Sequence, residues 1–365
     1  MKLLWSPCLV TRKIARNQFL EAVRLTRRPA KEAIQNNLDP REAIDDLSST
    51  GICNYINWKV DLHRNRRRQT LWITLRKDIK TLSSFCDIMA IPHDNFFELS
   101  VHMVGSELPI RVGEAGLRGI VPLLRKAVGA FHGQRLLTSR AQGRVLATGK
   151  PNTDQGHFNY TGEGLRPKDY YFVHNARLNR ISVNSRNAGD KSCRRCGSEL
   201  ESVGHVLHNC MHYHGTLYTK RHDEILSNVE KAIPKRNRKI QLNRKIKETT
   251  TINRPDPVIT ETDKNNVFIF DISIINCSFE DSLLNARYRK VEKYKLEADQ
   301  LRAKGKNVFL DAILVGSLGI WVPANDGPLI LAGVSRKRLR TLRKACISAA
   351  IKGSTEVWYQ HVLGK

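Results

Sequence analysis

Between residues 193 and 210 the chain reads Cys193-Arg-Arg-Cys196, eight residues, His205, four residues, Cys210. A thiolate pair two residues apart grips one cation from a single tight turn, and a His and a Cys on the next segment complete a tetrahedron. The spacing predicts one structural Zn2+ on Cys193, Cys196, His205 and Cys210, whose binding energy would pull both segments into one fold. His208, His212 and His214 compete for the third position, but His205 gives the four-residue gap to Cys210. The remaining cysteines, Cys8, Cys53, Cys86, Cys277 and Cys346, are scattered through apolar contexts. They read as small buried hydrophobes of an intracellular protein, not as a disulfide framework.

With 61 Lys and Arg against 35 Asp and Glu, the formal charge is +26. A surface this basic calls for a polyanion, and neutralising phosphates releases counterions, so binding to nucleic acid should depend steeply on salt. A membrane partner is not expected, because no run of 18 apolar residues occurs. The apolar start, Leu3 to Val10, is interrupted by Pro7 and lacks a small-residue cleavage site, so it reads poorly as a signal peptide. Arg66-Arg67-Arg68, between Trp58 and Trp72, is a candidate nucleic-acid face, although a charge run is more often a solvated helix face. Arg194 and Arg195, between the first two metal ligands, are expected to face phosphates.

Apolar periodicity predicts a helix over Lys13–Leu38 with a break near Pro29, a basic helix from Asp61 through Leu82, and a helix over Val121–Leu137. Residues 148–168 read as a loop. An amphipathic helix then leaves the metal cluster and ends before Pro234, and Lys235–Lys239 with Arg244-Lys245 read as a basic strip. A short strand near Arg254–Thr260, a strand over Val267–Ile275, a helix over Leu283–Lys304, a strand over Val308–Val315 and a helix over Arg336–Val362 follow. The expected fold is α+β and multidomain: a helical basic region over 1–147, a linker carrying the cluster over 148–220, and an α/β domain with a mixed sheet over 221–365.

The last domain carries a second constellation. Asp271 lies within an apolar strand, where an unpartnered polar group would cost roughly 2–7 kcal/mol, and Asp256 follows Pro255, which limits the local backbone. Two carboxylates on neighbouring strands can hold Mg2+ or Mn2+ through hard oxygen ligands, activating water and stabilising charge on a phosphoryl transition state. Lys290 and Lys293, three apart on the next helix, can share a face beside Tyr294. Taken singly, Asp256 reads as a turn residue, Asp271 as an ion-paired core residue and the lysines as solvated. Taken together and in this order they favour metal-dependent cleavage of nucleic acid.

From about Arg64 onward the chain resembles the C-terminal part of the polyproteins of site-specific non-LTR retrotransposons, the type that inserts into ribosomal RNA genes. The resemblance rests on Leu178-Asn-Arg-Ile181, the Cys193–Cys210 cluster, Arg221-His222, Arg254-Pro255-Asp256, Asp271, Lys290-x2-Lys293-Tyr294 and Gly319-Ile-Trp321. It implies a thumb-like first region, a CCHC zinc knuckle and a restriction-like endonuclease of PD-(D/E)xK fold that nicks target DNA to prime reverse transcription. In that scheme Asp256, Asp271 and Lys290 are catalytic with Lys293 in support. DNA and element RNA are the implied partners, the nucleus is the implied location, and self-association stays open. The usual lysine two residues after the second acid is absent, since position 273 is Ser, so the ammonium must come from Lys290 or Lys293. No Tyr/Phe-Ala-Asp-Asp polymerase motif occurs, and Ala43-Ile-Asp45-Asp46 has no strand before it, so polymerisation by this chain alone is not expected. Two functions follow: a metal-dependent DNA endonuclease, or a binding remnant of such a polyprotein that no longer cuts.

Overall fold

The computed structural model describes residues 8–24, 49–57, 70–93, 97–113, 116, 119–139, 142, 145, 154–198, 200–276 and 280–364. They form a mixed α and β protein with two small sheets, consistent with the expected α+β class, divided into compact units over 1–136 and 137–365. Among the described residues no helix is long and apolar enough to cross a membrane.

The first unit holds α1 (Leu9–Arg24), α2 (Ser49–Asn57), α3 (Leu71–Leu82), β1 (Cys86–Pro92), β2 (Phe97–Met103), β3 (Ile110–Val112) and most of α4 (Ile120–Leu137). Phe19 of α1 packs edge-on against Trp72 at 4.7 Å and Tyr55 at 5.3 Å. The Trp72 indole is buried and donates to the Ala15 carbonyl at 3.1 Å, so it is a core anchor and not the nucleic-acid platform expected of it. Trp58, Arg66, Arg67 and Arg68 lie outside the described residues. The region is less purely helical than expected, since β1–β3 form an antiparallel sheet. On β2, Phe97, Leu99, Val101 and Met103 face inward while the residues between them are more exposed, the period of two that a half-buried strand requires.

The second unit begins with α5 (Pro167–Arg177), passes through the cysteine cluster, and continues into α6 (Leu217–Ala232). A five-stranded sheet follows, built from β4 (Arg238–Leu242), β5 (Pro257–Glu261), β6 (Asn266–Ile275), β7 (Asn307–Gly316) and β8 (Ile320–Trp321) in that spatial order. Only β6 and β7 run parallel, and a parallel pair needs a long crossover. That crossover is α7 (Glu280–Lys293) and α8 (Lys295–Ala303), which break at Tyr294 where one continuous helix was expected. The chain closes with α9 (Asp326–Leu331) and α10 (Arg336–Leu363). Of the basic strip after Pro234, only Arg238 and Lys239 lie in the edge strand β4, while Lys235, Arg236, Arg244 and Lys245 flank it outside the strand.

Alternation along β6 sets the layers. Phe268, Phe270 and Ile272 pack into one core with Phe172 of α5, Ile225 of α6 and Ile347 of α10. Val267 and Ile269 face Tyr294, Ala298 and Leu301 on the other side. Val206, Leu207 and Cys210 belong to the first of these cores, so the segment over 148–220 does not stand apart from 221–365 as a linker. Gly353 lets α10 lie directly against the stem of Arg221 on α6, where a Cβ would overlap it.

Candidate metal centre and acidic site

Two short turns build the cysteine cluster. The Gly197 amide donates to the Cys193 carbonyl at 2.9 Å and the Cys193 amide to the Ser198 carbonyl at 2.7 Å. Gly197 closes this turn at φ +71°, a conformation that costs a side chain strain. The second turn is π-helical over His205–Asn209, with the Cys210 amide donating to the His205 carbonyl at 2.9 Å. That widened turn brings His205 and Cys210 to the same side. Cys193 Sγ lies 3.8 Å from Cys210 Sγ, and Cys196 Sγ lies 3.3 Å from His205 Nε2. All four ligand atoms fall within 4.8 Å of one another, so the cluster could hold a metal ion.

Burial and hydrogen bonding act differently on three of these ligands. Burial pushes the Cys210 thiol up to about 12, with its cysteine neighbours adding to the effect. At Cys196 burial acts in the same sense, but hydrogen bonds from the Ser198 backbone, Cys193 and Cys210 outweigh it and leave the thiol below its ordinary value. Burial lowers His205, keeping its imidazole neutral and able to donate a lone pair. His208 is turned away: its Nε2 meets Ser317 Oγ at 2.9 Å, and burial depresses it to about 3. His212 and His214 are exposed.

A buried carboxylate braces the cluster. Glu201 is fully buried, receives the Arg194 guanidinium at 2.7 Å and the Arg194 and Asn184 amides at 2.9 Å, and lies 2.9 Å from His361 Nε2. Burial opposes ionisation of Glu201, yet these donors hold its carboxyl down to about 2. His361, on α10, is lowered by burial and stays neutral, donating its Nε2 hydrogen to Glu201 while the same nitrogen lies 3.8 Å from Cys193 Sγ. Arg195 donates to the His361 and Gln360 carbonyls, both at 3.0 Å. The two arginines expected to face phosphates therefore direct donors inward. A buried carboxylate and the last carbonyls of a helix both demand partners.

The second constellation assembles around β5 and β6. Val258 pairs with Ile269 across these antiparallel strands, and continuing that register by two residues sets Asp256 opposite Asp271. Asp256 Oδ2 accepts from the Ile272 amide and lies 3.2 Å from His222 Nε2 on α6. Asp271 is buried, and its Oδ2 lies 2.7 Å from Lys290 Nζ of α7. That oxygen has no aligned hydrogen bond, so the contact is one of charge. Lys293 is directed elsewhere: its Nζ donates to the Tyr294 hydroxyl at 3.0 Å and sits over that ring. The Tyr294 hydroxyl in turn donates to the Arg254 carbonyl at 3.2 Å, and burial, reinforced by the nearby Asp271 and Asp256 carboxylates, raises it well above its ordinary pKa. Glu297 of α8 accepts from Thr251 at 2.6 Å and Asn253 at 2.7 Å, clamping the segment that delivers Asp256.

His222 is the member to which the sequence assigned no role. Its hydrogen bond to Asp256 pushes it up to about 9 despite burial, with Asp223 contributing, so it is an imidazolium at neutral pH. Glu201 and His361 also escaped notice, because their partnership spans 160 positions and no local spacing marks it. No family model matches the chain, and no curated protein matches it significantly.

Proposed function

We propose that the second unit is a Mg2+- or Mn2+-dependent DNA endonuclease of PD-(D/E)xK type, derived from the polyprotein of a non-LTR retrotransposon and lacking the polymerase core. The observation that carries it is the facing pair Asp256 and Asp271 with Lys290 Nζ at 2.7 Å from the second acid. Position 273 is Ser, and the ammonium comes instead from the following helix, as the resemblance requires. The site fits a hard cation: its donors are carboxylate oxygens, and the buried Asp271 Oδ2 has no aligned hydrogen bond of its own. A cation there supplies water activation and charge stabilisation at the scissile phosphate. Lys290 would orient the water or a phosphate oxygen, and the His222 imidazolium would steady Asp256. Lys293 supports the site through Tyr294.

The cysteine cluster is proposed as a structural CCHC zinc knuckle. Zn–S bonds of about 2.3 Å in a tetrahedron put two sulfurs roughly 3.8 Å apart, which matches the Cys193–Cys210 spacing of 3.8 Å. Nuclear target DNA is the proposed substrate and element RNA a further ligand, in keeping with the charge of +26. The test is nicking of supercoiled DNA by purified protein with Mg2+ or Mn2+. Wild type should nick, and Asp256→Ala and Asp271→Ala should abolish nicking while DNA affinity holds. Wild-type protein that binds DNA but never nicks it refutes the nuclease and leaves the binding remnant as the function.

A further inference from the structure

A concentration of positive charge in the second unit lines a cleft that the proposed function does not use. Between α6 and α10 runs a cleft of about 760 Å3, lined along α10 by Lys337, Arg340, Lys344 and Lys352. At 3.6 residues per turn these four fall within an arc of roughly 120°, and at about 1.5 Å per residue they span about 22 Å of helix. Strand phosphates recur about every 3.4 Å along duplex DNA, so that length matches a run of roughly six. The cleft continues into a smaller cavity of about 280 Å3 that adds Lys220 of α6. Its floor is low because Ala345, Ser348 and Ala349 carry small side chains.

The acids in the cleft do not cancel this charge. Glu163 is taken by Lys344 at 2.9 Å and Glu356 of the smaller cavity by Lys168 at 3.4 Å, which leaves Glu224 as the one lining carboxylate without an ion pair among the described residues. Lys220, Lys337 and Lys352 are exposed and enter no ion pair among the described residues. Three unmatched ammonium groups around one concave surface are suited to a polyanion that lies along it. The position of the cleft on α6 is equally informative. His222 turns from α6 toward Asp256, whereas Lys220, Glu224 and Asn228 line the cleft side. At about 100° per residue these three lie roughly 160–240° around the helix from His222.

We infer that this cleft is a second nucleic-acid site, holding the sugar-phosphate backbone of a strand along α10 on the face of α6 opposite the carboxylates. It shares with the proposed function the premise that the ligand is a nucleic acid, but it does not require that the acids cut. A strand held there is anchored at a distance from the scissile phosphate and adds affinity without entering the chemistry.

The experiment compares two triple variants of the full chain that remove equal charge. One is Lys220→Ala/Lys337→Ala/Lys352→Ala. The other, Lys239→Ala/Lys247→Ala/Lys264→Ala, lies outside the cleft and includes the β4 edge. Binding of a duplex DNA, a single-stranded DNA and a single-stranded RNA of one length is measured across a salt series. The cleft variant should lose at least tenfold in affinity at moderate salt for one or more of these probes. Its log–log salt slope should shrink by roughly 2–3, from about 0.7–0.9 per lost phosphate contact, while the control slope moves by less than about 1. The probe with the largest loss identifies the strand type. Lysine acetylation mapped with and without that probe should show Lys337 and Lys352 protected. Equal losses in the two variants, an unchanged cleft variant, or unprotected lysines overturn the site. Loss of binding in the cleft variant together with a wild type that never nicks would keep the cleft and remove the nuclease.

Discussion

Replacing Lys290 by Met should destabilise the second unit far more than replacing Asp271 by Asn, although both should impair nicking. The Asp271 side chain is 4% exposed and that of Lys290 33%. Lys290→Met strands a carboxylate inside the protein, and breaking a buried pair in this way costs about 3–5 kcal/mol. Water reaches the lysine end and screens the pair, so the expected loss is about 2–3 kcal/mol. For a unit of this size 1 kcal/mol corresponds to roughly 2–4 °C, so the melting temperature should fall by about 5–10 °C. Asp271→Asn leaves a lysine that can swing into solvent, and its cost should stay under about 1 kcal/mol. The double variant Lys290→Met/Asp271→Asn should recover most of the loss, because no buried charge remains. Thermal melts without added Mg2+ or Mn2+ read all three. A Lys290→Met protein melting within 2 °C of wild type, or an Asp271→Asn protein falling as far, refutes the asymmetry, where these margins are about half a kcal/mol.

Purified protein should carry one Zn2+, and Cys193→Ser/Cys196→Ser should release it and lower the melting temperature; elemental analysis finding full zinc retention in that variant removes the four-ligand assignment. Lys293→Ala should slow nicking less than Lys290→Ala, which should cost about 10²–10⁴-fold, because Lys293 reaches Tyr294 and not the acids; single-turnover rates for the two variants decide it. At Asp169, burial opposes ionisation but the paired contacts from Arg166 hold the carboxyl below its usual range. A depressed carboxyl contributes stability that is present above its unfolded pKa of about 4 and is lost as the pH falls through the lower folded value. Asp169→Asn should therefore be less stable at neutral pH and show a shallower acid dependence below about pH 4, measured by circular dichroism; a wild-type slope in the variant counts against it.

The elements of the second unit were largely legible because their signals are local. The apolar run over Val267–Ile275, the strand at Val308–Val315 and the long helix from Arg336 each bury a regular face, and each stands close to its expected place. The ligand spacing from Cys193 to Cys210 was legible for the same reason, since two tight turns set it. Elsewhere local signals were missed or misled. The alternation on β2 was passed over among helical neighbours. The charge of β4 masked an edge strand, a position where lysine and arginine are common because they discourage further pairing. Trp72, beside the candidate nucleic-acid face, is instead buried against Phe19.

By itself the amino-acid order determined which residues were available for chemistry: four soft or borderline ligands in a short span, one acid just ahead of a strand and another within the next, and a lysine on the helix between the parallel pair. Tertiary structure decided what each one meets. It turned Arg194 and Arg195 from phosphate contacts into partners of Glu201 and the end of α10. It separated Lys290 from Lys293 although both lie on one helix, and it raised His222 to a working partner of Asp256 across 34 positions. Spacing rules see only neighbours along the chain, whereas a buried charge takes its partner from whatever element the packing brings within reach, because burying it without one costs several times what a surface pair contributes.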